Sequence, residues 1–226
     1  MTSTETRAGS LMAVLVLGSL WGASEVVLGS AIAAAGLPWR SGILTGVGFG
    51  LMGVACGALG RPSLLPPIAL VAVSCKLLVV PILRVSVACE VNSLLGVMCD
   101  GLALGAVALL AGRRMAARLP VRIGVGASAA LFASAGFYVA GMGVAACRSL
   151  ASVPPLGGVV SFIAVKGLVW AGFAAVLFPV GHWAGARLRD AVPAFGARRP
   201  RAYRAVSAAI VAACWAASAL TIAARH

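Results

Sequence analysis

The chain has 226 residues, 62% of them hydrophobic and only 10% charged, with a mean hydropathy of +1.05. An average globular chain is about 25% charged, so this composition excludes a soluble domain. The net charge of +13 would suggest a nucleic-acid partner in a soluble protein; here it reads as a topology signal and an attraction for anionic membrane lipid, with no nucleic acid expected.

About twenty apolar residues cross the hydrocarbon core of a bilayer. That ruler predicts spans at 11–36, 42–60, 65–83, 86–111, 124–147, 157–181 and 205–224. The first stretch continues through Trp21 and Glu25 to Gly36. It is too long for the core of a cleaved signal peptide, and is read as a retained span. Pro81 and Arg84 interrupt the apolar run between the third and fourth spans, which leaves a short or re-entrant segment there as an alternative. The expected fold class is all-α, a polytopic integral membrane bundle of six or seven transmembrane helices. Residues 1–226 form a single transmembrane domain, with 205–224 as the extra terminal helix.

Arginine placement gives an orientation. Arg113, Arg114, Arg118 and Arg122 fall on one side with Arg187, Arg189, Arg198, Arg199, Arg201 and Arg204, and Arg7 and Arg61 join them. The other side holds Arg40, Arg84, Arg148 and Arg225. The positive-inside rule then predicts a multi-pass protein of the inner (cytoplasmic) membrane, N-terminus in the cytoplasm and C-terminus outside. If the last segment does not span, the C-terminus returns inside.

Five ionisable residues sit within these apolar stretches: Glu25, Lys76, Glu90, Asp100 and Lys166. Each costs about 2.5–3.5 kcal/mol on insertion scales and persists chiefly where it faces a protein interior or a wet cavity. At 1.5 Å per residue, Glu25, Lys76, Glu90 and Lys166 fall roughly 6–15 Å below the external surface, with Asp100 deeper. Charges from four helices in one half of the membrane suit a cavity open to the outside, and all five are candidate substrate-binding residues.

Each candidate also has a structural alternative. Glu25 binds a ligand, pairs with Lys76, or is a neutral acid tied to a backbone or hydroxyl group. Lys76 and Lys166 clamp a carboxylate or phosphate as point charges, or pair with the acids. Glu90, near Asn92, is a solvated helix start or a site residue. Asp100 is a partner for a lysine or a proton site. Trp21, with Trp170, Phe137 and Tyr138, stacks on a ring-shaped ligand or simply packs. Trp39 and Trp183 read as interfacial anchors, and His182 as an interfacial residue. Gly18, Gly22, Glu25 and Gly29 share one helix face. Its small residues permit close backbone approach, so the face points inward or at a partner subunit.

The six cysteines form no C-x-x-C pair and no cluster with histidine, which disfavours zinc or a disulfide framework. Small buried apolar residues are the better reading, with pairing of Cys89 and Cys147 left open. No metal or cofactor is expected. The chain carries no G-x-x-x-x-G-K-[ST] phosphate loop, and neither an H-E-x-x-H motif nor a G-x-S-x-G turn. A catalytic role is not expected.

The segment SLWGASEVVLG at 19–29, then LPWRSGIL at 37–44, then a span holding Lys76 and the acidic Glu90, resembles the substrate-binding (S) components of energy-coupling factor (ECF) importers. The resemblance covers roughly the first 100 residues. It implies a six-helix protein with both termini cytoplasmic that captures a vitamin or similar micronutrient from outside. A transmembrane coupling subunit and two cytoplasmic ATPases would then drive uptake. It also implies that small residues of the first helix, here Gly18 and Gly22, touch the coupling subunit. Seven predicted spans depart from that pattern. The rival reading is a self-sufficient proton- or ion-coupled transporter in which Glu25 or Asp100 changes protonation. Two lysines favour an anionic or zwitterionic small-molecule substrate, unless internal salt bridges consume their charge.

Overall fold

The computed structural model describes residues 3–144 and 157–224. Among the described residues, seven helices are long and apolar enough to cross a membrane: α1 (Gly9–Ala34), α2 (Arg40–Leu59), α3 (Pro62–Leu83), α4 (Glu90–Ala111), α5 (Leu119–Val144), α6 (Gly158–Arg198) and α7 (Pro200–Ala223). No strand occurs among the described residues. Hydrocarbon offers no hydrogen-bond partners, so each segment pairs its own backbone by forming a helix. The protein is an all-α polytopic membrane bundle, as its composition predicts. The predicted end of the fifth span at Cys147 lies outside the described residues, as does the proposed partner of Cys89.

Three helices depart from regular α geometry. α1 contains a π-turn at Ser24–Leu28 and α6 another at Ile163–Gly167. α3 breaks at 77–78, between Leu65–Lys76 and the short helix Val79–Leu83. The chain then reverses at Arg84, whose φ is 52°. Ser86 caps the start of the next helix, its hydroxyl accepting from the Ala88 N–H at 3.0 Å. The interruption expected from Pro81 and Arg84 is therefore a broken end to α3. α6 runs past the predicted Gly181 to Leu188, turns at 189–190 and adds the helix Ala191–Arg198.

Six helices close a ring. Going round it, α1 packs on α3, α3 on α4, α4 on α5, α5 on α6, α6 on α2, and α2 returns to α1. α7 lies outside, against α1 and the 79–83 end of α3. The Trp215 indole N–H donates to the Ser19 hydroxyl at 3.0 Å, and the Cys75 thiol donates to the Ser218 hydroxyl at 3.3 Å. Van der Waals packing and such hydrogen bonds must hold these helices together, because lipid is as apolar as their side chains.

The closest packing is between α2 and α6. A Cβ at Gly53 would lie 2.5 Å from the Phe178 carbonyl oxygen, and Gly57, Gly181 and Gly185 also meet opposing backbone. Only glycine fits such an approach. Beyond it, Arg189 donates from Nε and Nη2 to the Gly57 carbonyl at 3.1 and 2.9 Å, satisfying an acceptor near the end of α2.

Gly18 and Gly22, on the face expected to point inward or at a partner subunit, point inward. A Cβ at Gly18 would meet Val71 at 2.5 Å, and one at Gly22 would meet Cys75 at 2.5 Å. Both glycines are buried against α3, so the close-approach face of α1 is occupied within the chain. The solid core is built from Phe49, Met52, Leu65, Ile68, Leu104 and Phe178, together with Trp21. The α2, α3 and α4 members come from the middle and later part of α2, the first half of α3 and the later half of α4. They fill the bundle toward the 59–62 turn.

Candidate functional site

Toward the other end, where α1 finishes and α2 begins, the ring encloses a cavity of about 490 Å³. Four of the five intramembrane charges line it: Glu25, Lys76, Glu90 and Asp100. The Lys76 ammonium donates to Glu25 Oε2 at 2.9 Å, and the two side chains are only 10% and 9% exposed. Helix irregularity positions both. Glu25 lies in the π-turn of α1, where an extra residue per turn shifts the helix face. Lys76 is the last residue of its helical segment before the 77–78 break.

α4 supplies the acidic wall. Glu90, Ser93, Val97 and Asp100 all line the cavity, and their 3-4-3 spacing places them along one helical face. Asp100 is 3% exposed, and its Oδ1 has no hydrogen-bond partner among the described residues. Thr45 of α2, itself 5% exposed, lies beside this carboxyl group, with Glu25 and Lys76 near enough to act on it electrostatically. Ten residues at 1.5 Å each separate Glu90 from Asp100 by about 15 Å along the helix. Glu90 therefore sits toward the mouth and Asp100 toward the floor.

Aromatic groups form another wall. The Trp170 indole N–H donates to the Ser41 hydroxyl at 3.0 Å, and Phe137 stands beside it with ring centroids 5.9 Å apart. Tyr138 packs on Phe162 at 5.4 Å and does not reach the lining. Val79 and Ile222 close the side covered by α7.

Two candidates are placed elsewhere. Lys166 is exposed in the π-turn of α6 and does not line the cavity. Trp21 is fully buried, its indole edge against Gly48, and also lies off the lining. His182, expected at the interface, is 4% exposed and stands beside Phe178. Trp39 and Trp183 are 64% and 53% exposed, consistent with anchoring, and the Arg187 guanidinium covers the Trp183 ring at 3.9 Å. Cys56, Cys75 and Cys214 are buried free thiols.

The sequence reading did not single out Arg40, Ser41, Thr45, Val79 or Ile222 as lining residues. Arg40, a loop charge by its place in the sequence, starts α2 and borders the cavity. Thr45 carried one weak signal, a hydroxyl within a glycine-rich apolar helix. The assembled groups can hold a small solute by charge, hydrogen bonds and ring contacts. No family, curated protein or solved structure matches this chain.

Proposed function

We propose that this protein is the membrane-embedded substrate-binding subunit of an ECF-type importer, capturing a small solute from the outer side of the inner membrane. The observation that carries the reading is the charged and aromatic cavity in one half of the ring, bordered by Glu25, Lys76, Glu90, Asp100 and Trp170. Charges survive in a membrane mainly where they serve such a site. The ring also supplies the six helices expected of an S component, with α7 added outside it. The excess of arginine on the opposite side orients the cavity outward. Partner ATPases reached through a transmembrane coupling subunit would provide the energy. Since Gly18 and Gly22 are occupied by α3, that subunit would dock on a different face.

The test is purification in mild detergent from native membranes, with mass spectrometry of retained proteins and small molecules. The proposal expects a coupling subunit, ATPases and a bound metabolite that is lost in Glu25→Gln. A preparation that repeatedly lacks ATPase partners overturns it. In that event the alternative is an ion-coupled transporter. Asp100 favours that reading, because a buried carboxyl facing the cavity beside the Lys76–Glu25 pair is suited to carrying a proton.

A further inference from the structure

The placement of the charges changes the class of solute this cavity fits. Of the two lysines that favoured an anionic ligand, Lys166 lies off the cavity and Lys76 is engaged by Glu25 at 2.9 Å. Arg40 is exposed at the start of α2, where it can keep its charge in water. Among the described residues, Glu90 and Asp100 are left as acidic groups without an interior cation of their own. Asp100 is the deeper one, with Oδ1 buried and lacking a hydrogen-bond partner among the described residues. A buried polar atom without a partner is costly. Trp170 and Phe137 border the same space, and aromatic rings attract cations.

We infer that the cavity takes a small organic cation, a protonated amine on an apolar or aromatic body, with its ammonium group at Asp100. This rests on the reading of the cavity as a solute site. The N–H donors of the ligand give Oδ1 the hydrogen bond it lacks among the described residues. The body lies against Trp170 and Phe137, where ring contact adds affinity with little geometric demand. A carboxylate ligand would bring a further acidic group to Glu90 and Asp100, and neither lysine is free there to receive it.

The test uses three probes of matched size that differ only in the head group: 3-phenylpropylamine, 3-phenylpropanol and 3-phenylpropionate. Each is titrated into the purified full-length protein in detergent, and binding is read by tryptophan fluorescence and thermal stabilisation. The amine should bind at least about tenfold more tightly than the other two, and Asp100→Asn should remove about that factor. Glu90→Gln, nearer the mouth, should give a smaller loss in the same direction and serves if Asp100→Asn does not fold. Equal binding of all three probes, or preference for the propionate, overturns the cation inference and leaves the solute-site reading standing. Failure of all three to bind counts against both.

Discussion

Lys76 Nζ lies 2.9 Å from Glu25 Oε2, and each residue sits where its helix abandons regular α geometry. The pair thus joins the π-turn of α1 to the break in α3. Removing one member leaves the other charge poorly compensated. Lys76→Met should cost toward the lower end of the about 3–5 kcal/mol seen for a broken buried pair, because the cavity side admits some water. The double variant Glu25→Gln with Lys76→Met should recover part of that loss. Thermal unfolding of the two singles and the double in detergent gives the coupling; additive losses would mean that the two groups act independently.

Lys166 gives the contrasting case. It is exposed, as are Ala164 and Val165 beside it, and it lies off the cavity. Lys166→Met should leave solute retention unchanged and should not lower stability, since a charge on a helix surface in lipid is unfavourable. Loss of retention in this variant, measured beside Glu25→Gln, would put Lys166 back among the binding groups.

The α2–α6 contact depends on absent side chains. Gly53→Val places its Cβ where the Phe178 carbonyl oxygen stands at 2.5 Å, whereas a Cβ at Gly172 meets nothing within 4 Å. Overpacking costs about 1–3 kcal/mol, and a carbonyl fixed in a helix cannot swing aside. Gly53→Val should lower the unfolding temperature or abolish recovery of folded protein. Gly172→Ala should behave as the parent does.

α7 is held to α1 by the hydrogen bond from Trp215 to Ser19. Ser19 is fully buried, so Trp215→Phe leaves a buried hydroxyl without this donor, at about 1–3 kcal/mol. Proteolysis between α6 and α7 should release α7 more readily from Trp215→Phe than from the parent. Equal release would show that the Cys75–Ser218 hydrogen bond and the packing around Ile222 suffice to retain the helix.

The proposed orientation can be checked directly. In a cysteine-free background, Pro38→Cys should react with a membrane-impermeant maleimide on intact cells, and Ala194→Cys only after lysis. The reverse pattern would turn the cavity toward the cytoplasm, and an uptake role that begins outside would fall.

The helix count and the half of the bundle holding the site were legible because hydrocarbon penalises polar groups so heavily. Glu25, Lys76, Glu90 and Asp100 could be placed by depth alone, and all four line the cavity. Depth does not give rotation. A helix surrounded by lipid on one side and protein on the other is apolar all round, so periodicity does not mark its inward face. Lys166 had the right height and the wrong face. Trp21 looked like a ring-stacking residue, yet glycine at position 48 opposite it lets the indole fill the core instead. The glycines at 18 and 22 announced a close approach without naming α3 as its object. Thr45 and Ile222 come to the cavity from helices distant in sequence, and no local pattern links them to Asp100.

The π-turns of α1 and α6 also bear on how this chain tolerates change in length. Each holds one residue more than the α-helix around it would require. Deleting one residue from 24–28 would let α1 continue as an uninterrupted α-helix, with no backbone group left unpaired. Four residues on the α-helical spiral turn through nearly the same angle as five in the π-turn. Gly18 and Gly22 on one side and Gly29 on the other would keep their present faces, and only the aim of the residues within the turn, Glu25 among them, would change. A lost codon here is therefore gentle on register and falls on the cavity.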